Sequence, residues 1–517
     1  MRILLLRPPR YVWPFNSETS AFWQPLGLAC VAAAVRRDLP DARVAIWDAP
    51  AAKCGWKTLE RRLAAEPIDV LGLGEETVSA HEALRAADIV RRLHPRCTIV
   101  AGGPYFAHTL DETLADGRID VIVRGEGEAT FVELLRHIED RAAWPAVRGI
   151  AFRDASGHTV KTPPRDLIAD LDSLPFPAYD LLDMTAYGRR SRNHPGLVSI
   201  EHSRGCVDSC GFCILWKHMG ASADGNGTVV PRWRTKSPDR GFAEVARLYR
   251  DFGRRTFGWV DPTFNASPEW SDAWAERMLA SQLCGPRGRP QTLHTAWMRA
   301  DGVVRDERLG VLGKLVRAGL RQVMIGVERD DPASLASLGK HHNGAEVCRE
   351  AFAIFREKYP EVFTIGSVVF GLPDDTREDL ERLGRCERDI GMDYCFMIPL
   401  TPNPGTAVAA EAERDGRIAN RDLASYNFHT PVCTTKTLNL RELESVYWRL
   451  MLRPGGQRLA RGLRQLVLDH DARKRRIHLA MLGRGTRIAV ESLVRTVLDR
   501  RSRQPALYSR RPSWYDQ

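Results

Sequence analysis

The chain has 517 residues, 44% of them hydrophobic and 27% charged, with a net charge of +10. This balance is typical of a globular protein with ample core, and the length predicts two to four domains of about 100–200 residues each. No segment approaches the about 20 apolar residues of a membrane-spanning helix, and the apolar run after Met1 is too short for a signal peptide. We therefore expect a cytoplasmic protein whose thiols are reduced.

The first 145 residues alternate between apolar strands and helical patterns. Ala80–Leu93 carries Ala, Leu, Ile and Val at helical spacing, which predicts one of the helices. This alternation predicts an α/β fold for residues 1–145, with a doubly wound, Rossmann-like parallel sheet. The strands expected are Arg2–Leu6, Val44–Trp47, Val70–Leu73, Thr98–Ala101 and Val121–Val123.

Glycines follow three successive strands of this sheet. Ligands of doubly wound sheets bind at the carboxyl ends of the strands, and glycine lets the backbone approach a ligand closely. The three turns therefore predict a flat or bulky ligand lying across one rim. A nucleotide is the alternative, but no G-x-G-x-x-G follows the first strand. The turns contain Gly72 and Gly74, Gly102-Gly103-Pro104, and Gly125-Glu126-Gly127-Glu128.

Residues 146–196 are predicted to connect two domains. Pro163-Pro164 and the pair of prolines at Pro175 and Pro177 favour an extended, stiff segment.

Cys206, Cys210 and Cys213 lie in one short run with the spacing C-x3-C-x2-C. Three thiolates on one loop can hold a [4Fe-4S] cluster by three of its irons and leave the fourth iron open for a small molecule. A structural zinc site is the alternative, with His202 and His218 completing it, although four ligands at finger spacing are usual. The other eight cysteines are scattered, which indicates lone buried thiols.

A second strand–helix series occupies residues 197–406 and predicts a partial, TIM-like (β/α)6 barrel. Catalytic groups of such barrels lie at the carboxyl ends of the strands and in the loops beyond. The strands expected are Leu197–His202, Arg255–Val260, Gln291–Met298, Gln322–Val327, Phe363–Phe370 and Tyr394–Pro399.

The residues after these strands are suited to ligand binding. Asp261 and Thr263 offer polar groups for a cofactor's amine or ribose, and Arg299 is a fixed cation suited to a carboxylate. For Arg299 and Glu328, a surface or structural ion pair is the alternative. Glycines and prolines at the other strand ends also suit plain turns, and they include Gly326, Gly371-Leu372-Pro373 and Pro402-Asn403-Pro404-Gly405-Thr406.

Residues 407–517 are predicted to be mainly helical, with helices at Asn439–Met451, Arg458–Leu468 and Ile488–Leu498. From Met451 onward there are sixteen Lys or Arg and five Asp or Glu, an excess larger than that of the whole chain. Such a tail favours an anionic substrate, nucleic acid or an acidic membrane surface, although a solvated helical face is the commoner explanation.

Taken in order, these motifs resemble the cobalamin-dependent (class B) radical S-adenosylmethionine (SAM) enzymes over roughly the first four hundred residues. The cysteine spacing resembles the radical SAM signature. Pro25-Leu26-Gly27-Leu28-Ala29 and the two later glycine turns resemble segments of the family's cobalamin-binding domain. No D-x-H-x-x-G motif is present, which also resembles most of this family, where no such histidine binds cobalt. Arg329 departs from the pattern, because many members have serine there.

The resemblance implies three cofactors: a [4Fe-4S] cluster, SAM and cobalamin. It implies that Cys206, Cys210 and Cys213 hold the cluster and are catalytic. The residues implied for SAM are Phe212, packed on the adenine, with Asp261, Thr263, Arg299, Gly326, Glu328 and Pro373. Those implied for cobalamin are Gly74, Glu75, Glu76, Thr77, Gly102, Gly103, Pro104, Gly125, Glu126, Gly127 and Glu128. Glu75 and Glu76 could hold a water at the lower face of the corrin or cap the next helix.

The activity implied is C-methylation of an unactivated carbon. A 5′-deoxyadenosyl radical formed from SAM would remove a hydrogen atom, and methylcobalamin would supply the methyl group. The family also contains the anaerobic magnesium-protoporphyrin monomethyl ester cyclase, which oxidises its substrate, and ring-rearranging enzymes, and the motifs do not separate these outcomes. A cobalamin sensor that binds nucleic acid would leave the cysteine motif unexplained, and no familiar nucleic-acid motif is present.

The expected partners are a small-molecule substrate, with a mild preference for an anionic one, and an external electron donor of the flavodoxin or ferredoxin type. We expect no nucleic acid, no membrane span and a monomer.

Overall fold

The computed structural model of the protein describes residues 1–10, 23–188, 196–222, 229–285, 288–340, 342, 344–452, 474–475, 479 and 513–517. Two largely parallel sheets follow one another along the chain, as predicted. None of the helices described is both long and apolar enough to cross a bilayer.

The first sheet contains β1 (Arg2–Arg7), β2 (Arg43–Asp48), β3 (Val70–Gly74), β4 (Thr98–Gly102), β5 (Val121–Val123), β6 (Ile150–Arg153) and β7 (Thr159–Lys161). Its order is β2-β1-β3-β4-β5-β6-β7, with β1 to β5 parallel and β6 and β7 antiparallel. The five predicted strands are confirmed. The segment predicted as a connector, residues 146–196, begins with β6 and β7, which were not predicted because the prolines of this segment indicated an extended linker.

Helices cover both faces of this sheet, which is the doubly wound arrangement. Residues of α1 and α7 pack on one face and residues of α3 and α4 on the other. The helices are α1 (Leu26–Asp38), α2 (Ala49–Ala52), α3 (Trp56–Ala65), α4 (Ala80–Leu93), α5 (Pro104–His108), α6 (Leu110–Ala115) and α7 (Gly127–Arg136).

The second domain has β8 (Leu197–Ile200), β9 (Ser203–Gly205), β10 (Ala221–Ser222), β11 (Val229–Val230), β12 (Trp233–Thr235), β13 (Thr256–Trp259), β14 (Cys284–Gly285), β15 (Arg289–Pro290), β16 (Leu293–Met298), β17 (Leu320–Glu328), β18 (Phe363–Phe370) and β19 (Tyr394–Pro399). Six of these form one parallel sheet in the order β19-β18-β17-β16-β13-β8. This confirms the partial six-stranded barrel. Every residue of β18 is buried, as expected for a parallel strand covered on both faces.

The barrel's helices are α8 (Leu215–His218), α9 (Pro238–Phe252), α10 (Pro268–Leu279), α11 (Ala300–Arg308), α12 (Val311–Arg317), α13 (Pro332–Ser337), α14 (Ala345–Lys358), α15 (Arg377–Leu383) and α16 (Cys386–Ile390). Their ends follow local sequence rules. Helix α9 begins after Ser237, whose hydroxyl accepts a hydrogen bond from the Arg240 N–H at 3.1 Å, and ends at Gly253 in the left-handed conformation.

Beyond the barrel, the structure contains α17 (Ala407–Arg414) and α18 (Leu440–Leu452), the latter close to its predicted bounds. The predicted helices at 458–468 and 488–498, and most of the basic tail, lie outside the described residues. Residues 513–517 pack against the first domain. Trp514 and Tyr515 are buried there, and the N–H of Trp56 donates to the carbonyl of Tyr515 at 3.1 Å.

Candidate cofactor site

The cysteine loop, residues 206–213, is fixed by backbone hydrogen bonds at the carboxyl end of the barrel. The N–H of Gly211 donates to the carbonyl of Leu338 at 2.9 Å, and its carbonyl accepts from the N–H of Val408 at 3.3 Å. The indole N–H of Trp216 donates to the carbonyl of Cys210 at 2.9 Å. The three predicted ligands are therefore carried by a loop that the end of α13, the start of α17 and α8 hold in place.

The thiols of this loop are partly buried. Burial raises the pKa of Cys210 to about 12. Burial also raises the pKa of Cys213, against backbone N–H groups of Leu215 and Trp216 that favour its thiolate. Such N–H groups also tune the potential of a bound cluster. Cys206 Sγ lies 3.5 Å from Thr263 Oγ1, which links the loop to the end of β13.

The alternative of a zinc site is not supported by the histidine that precedes the loop. The ring of His202 is buried and stacks on Trp270 with the centroids 3.7 Å apart. Its two nitrogens lie 3.2 Å from Thr235 Oγ1 and the carbonyl of Phe264. Among the described residues, no three His, Cys, Asp or Glu are grouped as ligands of a single ion. Thiolates of a cubane cluster bind different irons and do not require that grouping.

Asp261 binds the residues just before the cysteine loop through one carboxylate oxygen, and its other oxygen has no hydrogen-bond partner among the described residues. Its Oδ1 accepts from the N–H and hydroxyl of Ser203, at 2.5 and 2.7 Å, and from the N–H of His202 at 3.0 Å. Its Oδ2 is buried and has no partner within the part of the chain described. Burial raises the pKa of Asp261 to about 7. This oxygen fits a cationic amine donor, as the sequence predicted for SAM.

Arg299 follows β16 and is held by carboxylates of the chain itself. Its guanidinium donates to Asp208, inside the cysteine loop, and to Asp301 at 2.6 and 2.9 Å. The side chain of Asn265 bridges to the backbone N–H and carbonyl of Arg299. The structural ion pair left open for Arg299 is thus observed, and it holds the cysteine loop.

Glu328 also forms an ion pair. Lys340 Nζ lies 2.9 Å from Glu328 Oε1 and 3.0 Å from the carbonyl of Gly326, and both side chains are buried. A Cβ on Gly326 would lie 2.4 Å from Glu328 Oε1 and 2.7 Å from Lys340 Nζ, so a larger residue there would displace the ends of both side chains. Arg329, where the resemblance departs, is buried against Asp375, whose Oδ2 accepts from the backbone of the loop after β18.

Phe212 packs against an apolar cluster at the ends of β18 and β19, made up of Leu338, Val369, Leu372, Leu400 and Val408. Pro373 lies in the neighbouring loop, where its carbonyl accepts from the N–H of Lys436 at 2.8 Å.

The glycine turns of the first sheet share one rim, because β3, β4 and β5 are adjacent and parallel. Gly103 has φ +87°, and a Cβ there would lie 2.8 Å from the carbonyl oxygen of Glu75. Gly125 has φ +74° with open space beside it among the described residues. Gly74 and Glu76 are exposed on the rim, whereas Thr77 is buried in a short 3-10 helix and Gly102, Pro104 and Gly127 are partly buried.

Three acidic residues predicted to contact cobalamin form buried ion pairs within the protein, and their contact with cobalamin stays a prediction. Glu75 accepts from Arg10 Nη1 and Ser79 Oγ, both at 2.7 Å. Glu126 and Glu128 accept from Arg204 of the barrel domain at 2.9 and 2.6 Å. The resemblance implied these residues from their position in the glycine turns, and the structure adds the arginines that pair with them.

The two rims meet. His108, at the end of α5, lies with its ring centroid 6.2 Å from that of His218, at the end of α8 just after the cysteine loop. Lys217 Nζ donates to the carbonyl of Gly405 at 2.6 Å, and a Cβ on Gly405 would lie 2.5 Å from the His108 ring. The glycine rim of the first sheet therefore borders the cysteine loop directly.

Comparison with known proteins assigns both domains. Residues 14–135 match the family model described as a B12 binding domain, and residues 200–385 match the radical SAM superfamily. The chain belongs to the cobalamin-dependent radical SAM enzymes.

Two curated relatives of this radical SAM enzyme cover most of its length. An uncharacterized methyltransferase of Pyrococcus horikoshii is 27% identical over 459 residues, covering 88% of this chain and 93% of the relative. The anaerobic magnesium-protoporphyrin IX monomethyl ester cyclase of Cereibacter sphaeroides is 28% identical, with coverages of 86% and 68%. The fold is shared with TsrM, a radical SAM methyltransferase from Kitasatospora setae solved with cobalamin and a [4Fe-4S] cluster, at TM-score 0.68, 17% identity and coverages of 94% and 99%.

The residues of the enzyme fit the cofactors of its family. Three thiols on one fixed loop suit a cluster with one open iron, and Asp261, whose Oδ2 is orphaned among the described residues, binds Ser203 three residues before Cys206. The rim at Gly74, Gly103 and Gly125 presents backbone to a large ligand.

Four charged residues near the site were not predicted from the sequence: Arg204, Asp208, Arg234 and Lys340. Each is partly or fully buried and forms an ion pair, and the first three pair with charges that are distant in sequence. The sequence does contain a signal for one of these ion pairs. An acidic G-E-G-E turn and an arginine two residues before a cluster cysteine both place charges at the predicted site, and such charges require partners of opposite sign.

Proposed function

We propose that this enzyme is a C-methyltransferase that acts on an unactivated carbon of a small molecule. When bound, the cluster and cobalamin supply the radical and methyl-transfer chemistry. Overall, one C–H bond is replaced by a C–CH3 bond, two molecules of SAM yield methionine, 5′-deoxyadenosine and S-adenosylhomocysteine, and two electrons enter from a donor.

The observation that carries this proposal is the direct contact between the two rims. The helix after the Gly102-Gly103 turn meets the helix after the cysteine loop at His108 and His218. A ligand across the first rim and one beside the cysteine loop would therefore lie close enough to act on one substrate. The methyltransferase names of the Pyrococcus and Kitasatospora relatives support the same outcome.

The test uses anaerobic protein reconstituted with iron, sulfide and cobalamin, reduced with titanium(III) citrate and given SAM with a CD3 methyl group. We expect mass spectrometry to detect CD3-cobalamin, S-adenosylhomocysteine and 5′-deoxyadenosine. Cys210→Ala should lose 5′-deoxyadenosine. Cys284→Ala, a partly exposed thiol outside the motif, is the matched control and should retain it.

A second outcome would favour the cyclase or a rearranging enzyme. If 5′-deoxyadenosine forms but CD3-cobalamin and S-adenosylhomocysteine do not, the methyltransferase proposal is wrong. The similarity to the cyclase, at 28% identity, is the observation that favours this alternative.

We also propose a monomer that takes electrons from a flavodoxin- or ferredoxin-type donor in the cytoplasm. All eleven cysteines are free thiols, which suits a reducing compartment. The preference for an anionic substrate rests on basic residues that lie mostly outside the described part of the chain.

A further inference from the structure

A buried network of charges joins the two cofactor domains immediately before the cysteine loop. Arg204 is 6% exposed and contacts three carboxylates: Glu126 at 2.9 Å, Glu128 at 2.6 Å and Glu201 at 2.9 Å. Glu126 and Glu128 flank the start of α7 in the B12-binding domain, whereas Arg204 and Glu201 belong to the barrel. The planar guanidinium is suited to several carboxylates at once, because its donors form a fixed fork.

A second arginine uses the same carboxylate. In the pairing of β9 with β12, Arg204 lies opposite Arg234, which would be repulsive for like charges. Glu126 lies between them and accepts from Arg234 Nη1 at 3.0 Å with both oxygens. Its Oε2 also accepts from the N–H of Ile168 at 2.8 Å. The two-stranded sheet of β9 and β12 is therefore held together partly by a residue of the other domain.

The network lies next to the first cysteine of the cluster loop. Gly205 is the one residue between Arg204 and Cys206, and it has φ +79°. A Cβ there would lie 1.8 Å from the carbonyl oxygen of Arg232, which immediately precedes β12, so the backbone at Gly205 packs closely against its neighbour and only glycine fits. With a single closely packed residue between them, a shift of Arg204 relative to α7 is expected to reach Cys206.

We propose that Arg204 is a positioning residue: through Glu126 and Glu128 it sets the place of the cluster relative to cobalamin, and so couples SAM cleavage to methyl transfer. The coupling to methyl transfer rests on the proposed function. The positioning role of Arg204 does not depend on methyl transfer and requires only that both cofactors are bound.

The test compares Arg204→Lys and Glu128→Gln with Arg36→Lys, a control at the exposed pair Arg36–Asp180. Lysine keeps the positive charge at position 204, so the variant should fold. It lacks the forked donors with which the guanidinium binds several carboxylates. Each protein carries cob(II)alamin and a reduced cluster, and EPR measures how strongly the cluster accelerates the spin relaxation of cob(II)alamin, which depends on their separation. We expect both variants to change this relaxation, and the control to match the wild type.

The second readout is the ratio of CD3-cobalamin to 5′-deoxyadenosine formed from CD3-SAM. We expect a fall on the order of tenfold or more in both variants, since a misplacement of about 1 Å can cost about a hundredfold in rate. Unchanged relaxation in Arg204→Lys and Glu128→Gln, at wild-type iron and cobalamin content, would overturn the proposal. If the wild type makes no CD3-cobalamin, the methyltransferase function fails, and the relaxation measurement still decides the positioning role.

Discussion

The rim of the first sheet and the rim of the barrel face each other, but they present different chemistry. At the first rim, Gly103 and Gly125 expose backbone, and the carboxylate of Glu75 turns inward to Arg10. At the rim of the barrel, the charged side chains near the cysteine loop are held in buried ion pairs such as Glu328–Lys340. Backbone shape suits a large flat ligand, whereas fixed charges suit a small zwitterion such as SAM.

The same substitution, glycine to alanine, should therefore have different effects on the two rims. A new methyl group at the first rim should act by steric exclusion of a ligand. Beside the cysteine loop, the same change should disturb the fold that carries the cluster.

Gly205→Ala should give the largest effect. Its Cβ would lie 1.8 Å from the carbonyl oxygen of Arg232, so β9 and β12 would have to separate next to Cys206. We expect most of the iron and the 5′-deoxyadenosine activity to be lost, measured by iron assay and mass spectrometry. Gly253→Ala is the control: φ is also positive at +63°, with open space around it in the described chain, and its cost should be about 1–2 kcal/mol with the cluster retained. Equal iron content in the two variants would contradict this prediction.

Gly125→Ala should affect cobalamin alone. The position has φ +74° and no described neighbour within 4 Å, so the protein without cobalamin should fold with a loss of about 1–2 kcal/mol. On the rim, the new methyl group should weaken cobalamin binding by about tenfold, equivalent to about 1.4 kcal/mol. Gly117→Ala, with φ +80° and equally open but away from the rim, should bind cobalamin normally in a titration followed by absorbance. Similar affinities for both variants would count against the rim as the site.

Particular residues show what the sequence could predict. The parallel strands and the cysteine loop were predictable because apolar runs, turn glycines and thiol spacing are local patterns. Glu126 and Glu128 were predicted to contact cobalamin but pair with Arg204, some 76 to 78 positions away along the chain. The antiparallel β6 and β7 were missed because they are short and begin a segment whose prolines indicated a linker.

His294 makes the barrel sensitive to acid. Its ring is buried, and its Nδ1 accepts from the indole N–H of Trp259 at 3.3 Å, an arrangement that requires the neutral ring. Burial lowers the pKa of His294 to about 3. Because the unfolded chain binds this proton first, stability should fall as the pH drops from about 6.5 towards about 3, by about 1.4 kcal/mol per pH unit from this residue. His294→Gln should flatten the slope of unfolding free energy against pH in urea titrations. An unchanged slope would show that this histidine does not titrate on unfolding.

Tyr515→Phe should give the smallest effect and should be confined to the B12-binding domain. The buried hydroxyl of Tyr515 donates to Glu82 Oε1 at 2.9 Å, and its ring packs edge-on against Trp56 of α3. Phenylalanine keeps the ring and removes one hydrogen bond, so we expect a loss of about 1 kcal/mol. Hydrogen exchange should rise in α3 and α4, while the EPR signal of the cluster stays as in the wild type. If exchange rises equally in the barrel strands, residues 513–517 stabilise both domains, and the two regions are less independent than their rims suggest.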